Sequence, residues 1–301
     1  MSKQPVYRLA LATSAIIRDI HPDDAHFAIS LERLGIEPIA CVWNDPTIDW
    51  SRFDAVLIRT TWDYFKHYTA FKQWLDQLPI PTINNKNLLQ WNGDKCYLLE
   101  LAQQGVDIIP THITTAQGLN EILAAMAGRE LVIKPIVSGG AWHTLRGVVG
   151  DAAFEQALTQ LPQELDYLVQ PFVPEIVTDG EWSVVFFDGQ YSHAVIKRAA
   201  TGDYRVQSDF GGSVEAMEPS ASIIASAQQA LTATAAIGHA DHAYVRVDGV
   251  MVDGHFLLME LEMIEPLLFL TDRPDAAERF ASNLRTRLDA MSGLVTETNL
   301  S

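Results

Sequence analysis

Four charged side chains near the C-terminus alternate with apolar ones in two short segments. Residues 244–248 read Tyr-Val-Arg-Val-Asp, and residues 258–263 read Leu-Met-Glu-Leu-Glu-Met. A period of two predicts strands with one buried face, and Asp253-Gly254 between them fits a hairpin turn. Pairing of the strands would bring the charges to one patch: Arg246, Asp248, Glu260 and Glu262. Converging carboxylates need a cation, and oxygen ligands suit Mg²⁺. The alternative is a solvated hairpin with scattered charges.

Two lysines and a pair of glycines could hold phosphate groups. Lys95 lies at the start of a helix predicted over residues 94–104, and Lys134 ends an apolar strand before the loop that contains Gly139 and Gly140. Lysine is a mobile point charge for phosphate oxygens. Glycines let backbone N–H groups approach an anion and let a loop close as a lid. A surface lysine that is merely solvated is the alternative for each position.

Residues 168–184 could bind a base and a sugar. Gln170 and the backbone near Phe172 and Val173 offer hydrogen bonds to a base edge, because the flanking prolines cannot join a central strand ladder. Glu181 could accept hydrogen bonds from ribose hydroxyl groups. An ordinary crossover between domains is the alternative.

A basic segment follows the apolar strand predicted at residues 191–196. Lys197 and Arg198 are followed by Arg205 and Gln207 and then by two glycines. Such cations could pair with a terminal phosphate or with an acyl phosphate. A basic loop on an acidic surface is the alternative.

The segment after residue 58 has the residue types of an amino-acid pocket. Arg59 follows a predicted strand, and Trp62 and Asp63 come shortly after it. Arginine could bind a carboxylate, aspartate an ammonium group, and aromatic rings the body of the substrate. Packing of Trp62 between domains is the alternative. Asp23 and Asp24 are predicted to be helix-end acids that complement the helix dipole.

Length and composition set outer bounds. The chain has 301 residues, enough for two or three domains, and a formal net charge of -17 that disfavours nucleic acid or an anionic membrane as a partner. Cys41 and Cys96 are far apart and have no metal-type neighbours, so they are predicted to be reduced thiols in a cytoplasmic protein. Neither a signal peptide nor a membrane span is expected.

The coarse order of elements predicts an α/β fold with three domains. Strand, helix, strand, strand and helix succeed one another up to about residue 85, which indicates a small parallel sheet. The remaining chain is expected to form a lid domain and an antiparallel sheet domain. The predicted domains are residues 1–86, on the substrate side, residues 87–168, with the lid, and residues 169–301, with the metal and phosphate site.

Taken in order, these segments resemble the ATP-grasp superfamily over about residues 90–270. The resemblance implies the following nucleotide contacts: Lys95 and Lys134 to phosphates, Gly139 and Gly140 as the lid, Gln170, Phe172 and Val173 to adenine, and Glu181 to ribose. It implies two Mg²⁺ ions, replaceable by Mn²⁺, on the following acids: Asp248, Glu260 and Glu262. The expected catalytic cations are the following: Lys197, Arg205 and Arg246. The family commonly has Asn at the position of Glu262, so this site would carry more negative charge.

Residues 59–64 and 259–266 are also similar to the O-ureido-serine cyclo-ligase branch of that superfamily, which serves cycloserine synthesis. Glu265 would be a substrate contact or a helix-start acid, and His143 a phosphate contact or an incidental lid residue. The resemblance implies an ATP- and Mg²⁺-dependent carboxylate ligase for a small amino-acid-like substrate, with a homodimer as the expected assembly. Arg59, Trp62 and Asp63 would hold that substrate. The alternatives are an inactive ATP-binding regulatory protein and a small-molecule kinase.

Overall fold

The computed structural model describes residues 6–298, without the side chains of residue 208 and residues 294–298. Within that range the chain forms three sheets, one parallel and two antiparallel. The predicted α/β class, with a parallel N-terminal sheet and an antiparallel C-terminal sheet, is confirmed.

The N-terminal sheet is parallel, with strand order β2-β1-β3-β4. Its elements are as follows: β1 (Tyr7–Thr13), α1 (Ala25–Arg33), β2 (Ile36–Val42), β3 (Ala55–Thr60), α2 (Tyr68–Gln77) and β4 (Thr82–Ile83). Every residue of β3 is buried, as expected for a parallel strand covered on both faces. The helix predicted from Asp23 begins later, because residues 22–24 form a 3₁₀ turn after the cap residue His21.

The central sheet is antiparallel, with order β5-β8-β6-β7. This part of the chain contains the following elements: α3 (Lys86–Asn92), α4 (Tyr97–Gln103), β5 (His112–Thr115), α5 (Leu119–Ala125), β6 (Glu130–Pro135), β7 (Leu145–Val148), α6 (Ala152–Leu158) and β8 (Asp166–Pro171). Helix α3 was not predicted, although Asn85 caps it by accepting a hydrogen bond from the Leu88 amide at 3.0 Å. The predicted domain boundary after residue 168 falls inside β8.

The C-terminal sheet is antiparallel, with order β11-β10-β9-β12-β13. Its elements are as follows: α7 (Glu175–Thr178), β9 (Glu181–Phe187), β10 (Gln190–Arg198), β11 (Ser213–Ala216), α8 (Ala221–Ala236), β12 (Tyr244–Val252), β13 (His255–Glu262) and α9 (Pro274–Thr298). None of the helices within residues 6–298 is long and apolar enough to cross a membrane.

A shared aromatic stack joins the N-terminal and C-terminal sheets. The Phe280 ring of α9 lies 4.7 Å from Phe27 of α1 and 4.5 Å from Phe187 of β9, and all three side chains are buried. Such rings bury large apolar areas and favour offset stacking. The last helix therefore holds the first sheet against the third.

Candidate active site

The predicted acidic hairpin is present and its register sets the site. Asp253 and Gly254 have φ of 49° and 83°, as a two-residue type I′ turn requires, and β12 pairs with β13 around them. The register sets Arg246 opposite Glu262, and it sets Asp248 opposite Glu260. Directly opposed residues of an antiparallel pair share one face of the sheet, so the four charges form one patch.

A β-bulge widens this patch. The pairing shifts between Asp248–Glu260 and Gly249–Leu258, which leaves Met259 without an opposing residue. Bulges re-aim side chains that a regular strand would place on opposite faces. Met259 and Glu260 accordingly both line the same cavity, so one strand supplies an apolar wall and a charge side by side.

Asp248 is the most heavily bonded acid of the patch. Its carboxylate accepts hydrogen bonds from Arg246 Nε at 2.9 Å and from Arg246 Nη2 at 2.8 Å. Ser183 Oγ donates to it at 2.6 Å, and Lys197 Nζ donates at 3.3 Å. Ser183 faces Asp248 in the pairing of β9 with β12. Three strands therefore hold one carboxylate in place.

The other acids each have a cation as partner. Lys134 forms an ion pair with Glu260, Lys197 with Glu181, and Arg246 Nη2 with Glu262 at 3.3 Å. In the part of the chain that the structure describes, no three acidic, histidine or cysteine side chains are grouped closely enough to hold a metal ion by themselves. The chemistry of the set still fits Mg²⁺, which commonly binds through one or two carboxylates together with substrate phosphates and water.

Burial and neighbouring charges separate the pKa values of these acids. Burial raises the pKa of Asp248, but Arg246 and Lys197 bring it down to about 2. Burial likewise raises the pKa of Glu260, and Lys134 and Lys95 lower it to about 2. For Glu181 and Glu262 burial prevails over the adjacent cations, and the pKa is raised. Asp248 and Glu260 are thus ionised before any cation arrives.

These groups face a cavity of about 230 Å³ between the central and C-terminal sheets. The structure brings the following predicted residues to its wall: Lys134, Gly139, Gly140, Gln170, Phe172, Val173, Glu181, Lys197, Arg205, Arg246, Asp248, Glu260 and Glu262. Arg205 is tied to Asp203, with Nη2 and Oδ2 2.7 Å apart, and its guanidinium carbon lies 3.6 Å from the centre of the Phe210 ring.

The segment predicted to hold adenine lines the cavity, but some of its groups have partners within the protein. Gln170 Nε2 donates to Thr111 Oγ1 at 2.8 Å, and the Phe172 amide donates to the Glu130 carbonyl at 2.9 Å. That amide is therefore taken by the central sheet and is not available to a ligand. The Phe172 ring lies under Arg146, with the guanidinium carbon 3.5 Å from its centre, and Arg146 in turn pairs with Glu130, with Nε and Oε1 2.8 Å apart.

Sequence reasoning missed the apolar part of the wall. The additional lining side chains include the following: Ile109, Val132, Ile176, Val206 and Met259. Their residue types are those of any core, so no chemical signal marks them in the sequence. A base needs such a wall, because ligand sites combine mostly apolar surface with a few placed polar groups.

Lys95 lies outside the lining of this cavity and anchors the lid loop instead. Its Nζ donates to the Ser138 carbonyl at 2.7 Å, and its amide donates to the Ile136 carbonyl at 2.9 Å. Its side chain is buried. A direct phosphate contact of Lys95 stays a prediction, whereas its hold on the residue preceding Gly139 is observed.

The lid loop packs against the N-terminal domain through an aromatic contact. A Cβ on Gly139 would lie 2.9 Å from the Phe65 ring, so glycine is required for this approach. The rings of Phe65 and Trp142 are 5.5 Å apart, and Trp142 is 4.3 Å from His143. Three lid residues have left-handed backbones with φ of 57°, 60° and 51°: Gly140, Ala141 and His143.

The residues predicted to form an amino-acid pocket, Arg59, Trp62 and Asp63, have partners within the protein, and their binding of substrate stays a prediction. Arg59 donates to the Asp24 carboxylate from Nε at 3.0 Å and from Nη2 at 2.8 Å, and both side chains are buried. Asp63 accepts a hydrogen bond from Trp43 Nε1 at 2.8 Å. Arg59 and Asp63, which were expected to bind a zwitterionic substrate, thus bind other residues of the protein. Burial of a charged side chain is costly unless it has such a partner.

Two acids were expected at a helix end. Asp24 is the N-cap residue of α1, as expected, but its side chain makes no capping hydrogen bond and its carboxylate pairs with Arg59. Asp23 instead accepts hydrogen bonds from the amides of Leu270 and Thr271 at 2.7 and 3.1 Å. Trp62 Nε1 donates to the Glu265 carbonyl at 3.0 Å, so this ring packs between the first and third sheets.

Known proteins share the sequence and the fold over most of this chain. The family model described as the N-terminal domain of D-cycloserine synthetase DcsG matches residues 9–84. The cycloserine biosynthesis protein DcsG of Streptomyces lavendulae is 33% identical in an alignment 299 positions long, which covers 93% of this chain and 98% of that protein. The crystal structure of D-cycloserine synthetase DcsG has a TM-score of 0.82 at 32% identity, covering 93% of this chain and 99% of that one.

A second solved structure shows how widely the fold is shared. D-alanine–D-alanine ligase from Bacillus anthracis has a TM-score of 0.69 at 18% identity, covering 98% of this chain and 100% of that one. Fold, cleft and relatives together define an ATP-dependent ligase of the ATP-grasp class, as the resemblance implied. Within that class, the chain belongs to the family of the D-cycloserine synthetase DcsG.

Proposed function

We propose that this ligase uses ATP and Mg²⁺ to activate the carboxylate of a small amino-acid-like substrate and then closes a C–N bond. The observation that carries the proposal is the single cavity into which cations from β6, β10 and β12 face the acids of β9, β12 and β13. Neutral small molecules do not need such a set of charges, whereas a triphosphate with its metal ions does.

The nucleotide would lie across this cavity. Lys134 would contact phosphate oxygens after release from Glu260, and the loop of Gly139 and Gly140 would cover them. Glu181 would accept hydrogen bonds from ribose. The apolar wall that includes Val132 and Met259 would take the base, which offers a flat face to such surfaces.

Asp248, Glu260 and Glu262 would hold the Mg²⁺ ions. The supporting observation is their shared face and the low pKa, about 2, of Asp248 and of Glu260. When bound, Mg²⁺ neutralises phosphate charge in such reactions. The protein would prepare for it by keeping Asp248 and Glu260 ionised on one face of the sheet.

The proposed chemistry has two steps. A substrate carboxylate oxygen bonds to the γ-phosphorus as the bond from that phosphorus to ADP breaks, which gives an acyl phosphate. A substrate nitrogen then bonds to the acyl carbon, phosphate leaves with the electron pair of the broken C–O bond, and the nitrogen gives its proton to solvent. Arg246, Arg205 and Lys197 would stabilise the charge that develops on oxygen. The Trp142 lid would keep water from the acyl phosphate.

Ring closure of an amino acid related to O-ureido-serine is the form of this reaction that the family suggests. Relatives in the family are named for cycloserine synthesis, and one covers nearly the whole chain. A fold relative named a D-alanine–D-alanine ligase leaves amide formation between two amino acids as the second candidate.

The test is an ADP-release assay with mass spectrometry of the products. Substrates would include O-ureido-D-serine, single amino acids and pairs of D-amino acids. We expect ADP and phosphate in equal amounts together with a cyclised product. ADP release with a phosphorylated, uncyclised product would indicate a kinase, and absence of ADP release with every substrate would refute the proposal.

A further inference from the structure

In the segment after β13, four consecutive backbone carbonyl groups accept hydrogen bonds from side chains. The donors come from the first and third sheets, and the bonds are as follows: Tyr244 Oη to Ile264 O at 2.8 Å, Trp62 Nε1 to Glu265 O at 3.0 Å, Arg59 Nη1 to Pro266 O at 3.2 Å, and Arg246 Nη1 to Leu267 O at 3.0 Å. This segment is therefore a rigid platform between the two sheets.

Glu265 is the acid that this platform carries. Its side chain is 9% exposed, and its Oε2 has no hydrogen-bonding partner among the residues that the structure describes. An unpartnered buried polar atom loses its hydration without compensation. Natural sequences retain such a group when something outside the folded chain supplies the partner.

The surroundings of Glu265 indicate where that partner comes from. The charges of Glu262, Lys95 and Arg246 all act on its carboxylate. Its own charge acts on Tyr64 and Tyr244 of the neighbouring core. Glu265 thus lies beside Glu262 and Arg246, which line the cavity, and beside Tyr64 and Tyr244 of the neighbouring core. Its missing partner would come from the side of Glu262 and Arg246.

The chemistry of a carboxylate selects a cationic donor. In an α-amino acid the ammonium group is one carbon away from the carboxylate, so both ends must be bound close together. Arg246 offers a guanidinium to the carboxylate end, and it also fixes the platform through Leu267. Asp63, the acid expected from the sequence to bind an ammonium group, is occupied by Trp43.

We infer that Glu265 binds the α-ammonium group of the amino-acid substrate and so selects amino acids over analogues that lack this group. The inference rests on the proposed function and names its substrate class. A bound α-ammonium group stays protonated and is not a nucleophile. The new C–N bond then forms through another nitrogen, which in ring closure is a more distant nitrogen of the same molecule.

The experiment compares binding of two ligands to protein loaded with ADP and Mg²⁺. The ligands are O-ureido-D-serine and its des-amino analogue, 3-(ureidooxy)propanoate, and their dissociation constants are measured by calorimetry. We expect wild-type protein to prefer the amino acid, and Glu265→Gln to reduce that preference about 10- to 100-fold, the range for a hydrogen bond to a charged group. The affinity for the des-amino analogue should not change.

Two further variants make the result specific. Glu265→Asp keeps the carboxylate but on a shorter side chain. This variant should therefore lose part of the preference for the amino acid over the des-amino analogue. Glu218→Gln changes a glutamate that bonds Tyr191 at the surface and should keep the whole preference. ADP affinity, measured in every variant, reports an intact cleft.

Two outcomes would overturn the inference. One is a wild-type protein that binds the two ligands equally, and the other is a Glu265→Gln variant that retains the wild-type preference. Both outcomes are binding results. They are separate from the proposed function, which is decided by ADP release from wild-type protein.

Discussion

Lys134 of the central sheet and Glu260 of the C-terminal sheet, which both line the cavity, form an ion pair. Their side chains are 13% and 24% exposed, so the pair is screened little by water. A phosphate would compete with Glu260 for the lysine, and a metal ion would compete with Lys134 for the carboxylate. Nucleotide and metal together can therefore replace the pair at lower cost than either one alone.

The first prediction concerns Lys134→Ala. We expect ATP to bind about 10- to 100-fold more weakly, because a charge-assisted contact of about 1.5–3 kcal/mol is lost. Calorimetric titration with a non-hydrolysable ATP analogue measures this. Lys72→Ala is the control, since Lys72 lies over the Tyr68 ring on α2. Equal nucleotide affinity in the two variants would remove Lys134 from the phosphate site.

The second prediction concerns Glu260→Gln, which removes a charge and keeps the shape. We expect kcat to fall about 10²-fold or more, the scale for loss of a preorganised electrostatic contact, and the Mg²⁺ concentration at half-maximal rate to rise. Rates measured across a Mg²⁺ titration test both. Glu215→Gln, at a 65% exposed side chain on β11, should behave as wild type. An unchanged Mg²⁺ titration in Glu260→Gln would count against the metal site.

The third prediction concerns stability and Arg59. Arg59→Met leaves Asp24 buried without its cation, which should lower the free energy of unfolding by about 3–5 kcal/mol. Adding Asp24→Leu should restore much of the loss, because the unpaired charge is then gone. Urea denaturation measures both variants.

The matched control for Arg59 is an exposed pair. Arg33 and Glu278 are 3.5 Å apart with side chains 69% and 63% exposed, so Arg33→Met should cost about 0–1 kcal/mol. If Arg59→Met costs no more than Arg33→Met, the buried pair does not hold the platform. The same result would reopen Arg59 as a group free to bind substrate.

The fourth prediction concerns the lid. Gly139→Ala forces a methyl group against the Phe65 ring, and such overpacking costs about 1–3 kcal/mol. We expect a lid that closes poorly, so more ADP should be released per molecule of ligated product. Phe65→Ala makes room for the methyl group, so the double variant should resemble Phe65→Ala alone. If the excess ADP released per ligated product in the double variant equals the sum of the excesses in the two single variants, the ring and the glycine act independently.

The fifth prediction concerns pH and Glu265. Burial and the charge of Glu262 raise the pKa of Glu265 well above its usual value of 4.5. Without a bound ammonium group, the folded state therefore holds a proton that the unfolded state has released, and the stability from this group is present below pH 4.5 and lost as pH rises through the folded pKa. Glu265→Gln should flatten this decline in urea midpoints above pH 4.5. An equally steep decline in the variant would assign it to other acids.

The sequence predicted the fold class and the acidic hairpin, because both follow from local rules. Alternation with a period of two sets the faces of β12 and β13, and Asp253-Gly254 sets their turn, so the patch followed without coordinates. The bulge at Met259 did not follow, since one extra residue in a strand depends on the partner strand. Helix α3 was missed although its cap residue, Asn85, could have indicated it.

What the sequence alone determined is the supply of charged groups and the face on which each strand presents them. The tertiary structure decided which group meets which: Arg59 pairs with Asp24, 35 residues away, and bonds the carbonyl of Pro266, 207 residues away. Residue type limits what a side chain can bind, but desolvation on burial forces it to take whatever partner the packing of distant strands provides. For the same reason only the folded chain reveals an acid such as Glu265 that no other described residue completes.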